Sequence, residues 1–270
     1  ENGFYYRTIK NCALGGIALS QEKMTTCTVN DITDCRFGID LSACEEIRIS
    51  GQGTISGCQQ YGVGIQGGKF NSLLGSVYNN YTYLNFITQC EGPGIVLNNT
   101  YGNQINHYYV NDCKGPGLHI GPGSAYNTVQ NLTFEKNQGG VVIEGPDTLE
   151  NTFEGCNIGA FQQEYNLVTS QGILGTGLLL RNGAAQNQFN YMKVYHCAGH
   201  AVIMEGTGTN NNQMESCYIG SLFDRFKDET GSMGNSQDGI VLRDGASYNQ
   251  FTRTFIGRNE GHGMRLEDET

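Results

Sequence analysis

Charge and proline are both scarce in this sequence, and no apolar run approaches the length of a membrane span. With only 16% of its 270 residues charged, the chain suits short strands and polar turns better than charged amphipathic helices. Four prolines against 39 glycines, without a three-residue period, exclude a collagen-like rod. Basic residues are outnumbered 16 to 26, and a net charge of −10 argues against nucleic acid, whose phosphates need a basic footprint. The opening Glu1-Asn2-Gly3-Phe4 does not have a signal-peptide pattern, and the sequence stops at Thr270, soon after a strand. The expectation is a segment lacking one or both caps. Disorder is excluded too, because apolar residues recur throughout.

What is present is a repeat. The phrase Asn-x-apolar occurs at Asn103, Asn127, Asn151, Asn187, Asn212 and Asn249, at intervals of 24, 24, 36, 25 and 37 residues. A second phrase, glycine followed by an aliphatic residue, precedes most of these, as at Gly117-Leu118, Gly140-Val141, Gly177-Leu178 and Gly239-Ile240. Units of about 20–30 residues that cannot bury an apolar face alone must stack on their neighbours. Each unit ends in an alternating aliphatic pair such as Leu118-His-Ile120 or Ile240-Val-Leu242, preceded by a shorter strand such as Cys217-Tyr-Ile219. The spacing predicts an all-β, single-domain parallel β-helix over 1–270, with about ten rungs and a right-handed coil. Leu19, Leu41, Ile120, Ile143, Leu180, Met204, Leu242 and Leu266 should share one inward column.

The ten cysteines fit the same frame. Cys12, Cys35, Cys58, Cys90, Cys113 and Cys197 fall three or four residues before the strand glycine in most rungs, and Asn137 and Asn259 take that place elsewhere. One cysteine per rung reads as a stack of buried free thiols, the alternative being a secreted disulfide framework. Just after the strand, Glu144, Arg181, Glu205, Arg243 and Glu267 alternate in sign, so stacking in register would form an ion-pair ladder.

Chemistry is sought where the period breaks. Val110 to Gly117 spans seven residues, but Ile158 to Gly177 spans 19 and Ile219 to Gly239 spans 20. The extra residues form loops around 160–175 and 221–237 that would wall a cleft. Beside it the column before the strand glycine changes from Pro93, Pro116, Gly139 and Thr176 to His200, Asp238 and His262. A carboxylate between two imidazoles can act as an acid–base relay, two His and one Asp are also adequate ligands for a divalent metal, and the three can instead be turn residues that satisfy backbone groups. Asp224, in the charged stretch Leu222–Thr230, adds a candidate catalytic carboxylate, and Arg225 could hold a sugar acid. Outward aromatics on the shorter strand, Tyr109, Tyr218 and Phe255 together with Phe86, suit stacking on pyranose rings or packing between subunits. No cofactor and no metal are expected.

The chain resembles the pectate-lyase-like β-helix superfamily of polysaccharide lyases, polygalacturonases and phage tailspikes. Ile47-Arg-Ile-Ser-Gly-Gln-Gly-Thr-Ile-Ser-Gly57 is similar to an early polygalacturonase rung, and Gly261-His262-Gly263 to that family's histidine motif. The adjoining Asp-Asp pair and Asn-Thr-Asp motif are absent, so the three-aspartate machinery does not carry over. The tailspike group is the best match and implies a homotrimer at a virion tail, or another extracellular setting, that binds and cleaves a polysaccharide. The alternative is a non-catalytic shaft or adhesin. Sequons at Asn80, Asn98 and Asn131 would permit a glycosylated secreted protein.

Overall fold

A computed structural model describes residues 2–51, 53–75, 77–78, 82–83, 85–159, 172–220 and 234–267. Three parallel faces, here called A, B and C in the order the chain visits them, wind around one apolar core. Face A has ten strands, from Ile17–Ser20 to Met264–Glu267. Face B continues through strands such as Thr128–Gln130 and Gln188–Asn190, and face C through Thr133–Glu135 and Lys193–Val194. In the first two rungs the long strands Asn2–Lys10 and Thr25–Thr33 run through both B and C before the faces separate. A small antiparallel pair, Val77–Tyr78 with Thr82–Tyr83, projects between faces B and C.

The two-residue period of a strand decides what is buried. On face A the predicted column is in register from Leu19 through Leu41, Ile120, Ile143, Leu180, Met204 and Leu242 to Leu266, with Ile65 and Leu97 completing it. Members from Leu41 to Met204 are fully buried, each contributing about 1.5–3 kcal/mol, while Leu19 and Leu242 near the two ends are partly buried. Leu266, in the last described rung, keeps the register but is exposed. On face B, Phe153 and Phe189 stack at 5.1 Å between centroids, one rung apart.

The repeated asparagines are not merely markers of period. Asn71, Asn103, Asn127, Asn151, Asn187, Asn212 and Asn249 form a ladder at the corner between A and B, buried in all but Asn249, which is partly exposed. Each side-chain amide donates to the Oδ1 of the next at 2.8–3.0 Å, and that same Oδ1 accepts the backbone N–H of the asparagine before it. A tight corner cannot satisfy its own backbone, so the amides complete the hydrogen bonding.

The cysteine column stands at the corner between C and A. Cys12, Cys35, Cys58, Cys90 and Cys113 lead to Asn137, Ile173, Cys197, Asn235 and Asn259. Ile173 and Asn235 were not foreseen, because the insertions before them shift their sequence offsets. All ten cysteines are free, which overturns the disulfide alternative; Cys12, in the first rung, is only partly buried.

Candidate functional site

Successive rungs place the column before the strand glycine in register, as backbone bonds show. Gly177 N–H donates to His200 O, Ala201 N–H to Asp238 O and Gly239 N–H to His262 O. The three residues singled out in the sequence are therefore neighbours. Asp238 is the hub. Its Oδ1 accepts the His262 backbone N–H at 2.6 Å and lies 3.1 Å from His262 Nδ1. Its Oδ2 lies 3.0 Å from Arg265 Nη2 and 3.2 Å from His200 Nδ1. A side chain at Gly261 would run into this carboxylate, with Oδ1 2.4 Å from its Cβ, so glycine at 261 is a spatial requirement.

These contacts set the charge states. Burial alone would raise the Asp238 carboxyl, whose side chain is 6% exposed, but the His262 backbone N–H and ring, with Arg265 and His200, outweigh it and hold the group below its ordinary range. Asp238 is thus an anion at neutral pH and no proton donor. Burial shifts His200 downward, against the pull of Asp238. A neutral ring accepts the Asp238 backbone N–H on Nδ1 at 3.1 Å, so the carboxylate 3.2 Å away is not also its hydrogen-bond partner. His262 differs in being 71% exposed. With Nδ1–H donated to Asp238, its Nε2 lone pair is free to take a proton.

Arg265 was missed by sequence reasoning. It stands on the outward side of the last face A strand, three residues after His262, a position that matters only once Asp238 lies beside it. A second cluster lies lower on face A, where Glu144 Oε1 is 2.9 Å from His119 Nε2 and Glu144 Oε2 is 2.6 Å from Arg181 Nε. The charge column is in register throughout, but close ion pairs form in twos: Glu144 with Arg181, and Glu205 with Arg243 at 2.5 Å. Between this column and the Asp238 cluster, Ile203 and Val241 point outward and are nevertheless buried.

The other candidates are dispersed. Asp224 and Arg225, with most of both loops, fall in 160–171 and 221–233, outside the described residues. Tyr218 and Phe255 are exposed neighbours on face C, with centroids 6.4 Å apart. Tyr109 pairs instead with Phe86, at 5.6 Å, and its hydroxyl donates to the buried Glu135. Thr133, Asn157 and Lys193 separate the two pairs in register, so the aromatics do not form one stripe. Among the described residues no group of three or more His, Cys, Asp or Glu is placed to hold a metal ion.

A family profile described as "Right handed beta helix region" matches residues 8–158. No curated protein sequence matches the chain. Among solved structures, the A-module of Azotobacter vinelandii mannuronan C-5 epimerase AlgE4 superposes with a TM-score of 0.53 at 10% identity, over 99% of this chain and 88% of that one. The AlgE6 A-module from the same organism gives 0.52 at 10% identity, over 98% and 84%. At this identity the likeness concerns the fold.

Proposed function

The chain belongs to the right-handed β-helix family, and from that premise we propose that it binds and cleaves a polysaccharide, with His262 as the base. One observation carries the reading: an exposed imidazole whose Nδ1 faces a buried, ionised carboxylate, with a guanidinium on the same carboxylate. This arrangement favours proton abstraction over hydrolysis. Glycoside hydrolysis needs one carboxyl group that remains protonated, and Asp238 is held in the opposite state. In a lyase reaction, His262 Nε2 would take the proton next to a uronate carboxylate. Arg265 would turn the N–H groups not held by Asp238 and Glu267 to that carboxylate. The C–O bond would break as the C=C bond forms, and the leaving glycosidic oxygen would take a proton from the His262 imidazolium or from water. Asp238 and neutral His200 would fix the geometry. Asp224 and Arg225 remain candidates for closing on the ligand. The likeness to the epimerase modules supports the fold of this site and not its activity.

A tailspike-like homotrimer at a virion tail, or another extracellular placement, is the setting proposed for this activity. The competing reading is a non-catalytic shaft or adhesin, favoured by one feature of the cluster: every group around Asp238 also fastens one rung to the next. The two part on experiment. Alginate, polygalacturonate and xylan are incubated with the protein, and unsaturated uronates are read by absorbance alongside reducing ends. The proposal expects unsaturated product, reduced about 10²–10⁴-fold by His262→Ala. Reducing ends without unsaturation would replace the lyase by a hydrolase, and silence on all three polymers would favour the shaft.

A further inference from the structure

We infer a second polysaccharide-binding element, remote from the Asp238 cluster in rung order, on the corner between faces A and B: a ridge made by Phe70, Tyr101 and Tyr126. The rings of Phe70 and Tyr101 meet edge to face with centroids 5.7 Å apart, and those of Tyr101 and Tyr126 lie 5.0 Å apart. The three residues are 48%, 46% and 44% exposed, so the contacts join them without removing them from solvent. Tyr126 Oη donates to Glu150 Oε1 at 2.8 Å in the next rung. Lys69 stands beside Phe70 in the chain, in register with Tyr101. Rings, hydroxyls and charged ends therefore alternate along the rod axis over roughly 14 Å, three rung steps.

The corner backbone shapes the ridge. Phe70, Tyr126 and Glu150 have φ of 55°, 58° and 54°, where bulky side chains are disfavoured. The intervening member of that column is Gly102, at φ 64°. A Cβ there would come within 2.8 Å of the Phe70 ring, so the missing side chain makes the space in which this ring lies. The same corner is left-handed at Met24, Glu46, Gln186, Asn211 and Tyr248, so the conformation belongs to the coil, and what sets rungs three to five apart is the contacting, half-exposed rings.

The size of the ridge selects its occupant. Three half-exposed rings offer roughly 300 Å² in all, if a whole aromatic side chain buries about 200 Å². A stable protein interface needs about 800 Å² per partner. A narrow line of ring faces and hydroxyls at rung spacing instead fits a pyranose chain running along the rod, one sugar near each rung. The ridge, in rungs three to five, would hold a polymer whose reactive part lies near rungs eight to ten, so the ligand class rests on the proposed polysaccharide activity.

Affinity electrophoresis in gels containing alginate, polygalacturonate or xylan tests the ridge. The wild type should be retarded by at least one polymer. F70A/Y101A should weaken that retardation at least tenfold, while Y126F, which keeps the ring, retains most of it. Thermal melting of each variant gives the fraction folded. H262A should be retarded like the wild type, so loss of the reaction and loss of the ridge can be told apart. The inference is overturned if no gel retards the wild type, or if folded F70A/Y101A is retarded as strongly. It is also overturned if sedimentation velocity shows self-association that F70A/Y101A abolishes, since the rings would then join copies of this chain.

Discussion

Asn127 is the third of the seven stacked asparagines, and removing its side chain tests whether the ladder stabilises the fold. Its Oδ1 accepts the Asn103 backbone N–H at 3.0 Å and the Asn103 side-chain amide at 2.9 Å. In Asn127→Ala both Asn103 donors lose that acceptor inside a fully buried corner, as does the rotatable Thr100 hydroxyl at 3.4 Å. Asn103 Nδ2 keeps its bond to the Gly68 carbonyl at 3.3 Å, and Asn151 Oδ1 keeps the Asn127 backbone N–H at 3.1 Å. The two Asn103 hydrogens, whose bonds are the short ones, are therefore orphaned, at about 1–3 kcal/mol each. The sum is about 4 kcal/mol at mid-range, or roughly 8–16 °C in Tm for a domain of this size. Calorimetry at pH 7 reads the shift, with exposed Gln104→Ala as the control. Asn127→Asp sharpens the test, because an ionised side chain presents oxygen to Asn151 Oδ1 where an amide hydrogen was. Burial should raise that new carboxyl, so the variant recovers stability as pH falls and loses it as pH rises. An Asn127→Ala protein melting within about 2 °C of the wild type would refute this reasoning.

Arg243→Glu should lose its bonds to Glu205 and place three like charges in succession, costing about 1 kcal/mol at low salt and less at high salt; an effect unchanged by salt would show that the loss is not electrostatic. Stability should fall on acidification in two windows. His200 is shifted down from 6.5, so the unfolded chain binds its proton first and stability is lost as pH drops below that value. Asp238, shifted down from 3.8, loses its contribution as pH falls below 3.8 toward its folded value. His200→Asn should remove the upper window and narrow the lower one, because His200 also helps to hold Asp238 down, which a Tm–pH series would show. Thiol titration should find the nine buried cysteines unreactive in the native state and all ten reactive after denaturation, with Cys12 the exception; several disulfides by intact mass would reverse this.

The sequence carried the architecture because a solenoid repeats its local rules. Alternation in Leu118-His-Ile120 and Ile240-Val-Leu242 fixed which side chains face inward, and the recurring glycine fixed the register, so the His200–Asp238–His262 column could be read as neighbours before any coordinates. Local spacing goes no further than that. The sequence shows Asn103, Asn127 and Asn151 as a period; only stacked backbones, one rung apart, make their amides a ladder. Ile173 and Asn235 were hidden because insertions break the offset that defined their column. Arg265 and the Phe70–Tyr101–Tyr126 ridge depend on how far side chains reach across rungs and on corner dihedrals, neither of which a residue pattern states. Charge states came last. His200 and His262 are the same residue type in the same column, and only the depth of each beside Asp238 makes one a buried neutral acceptor and the other an exposed base candidate. Order along the chain determined which rungs meet, while burial and distance, which belong to the tertiary structure, decided what their side chains can do.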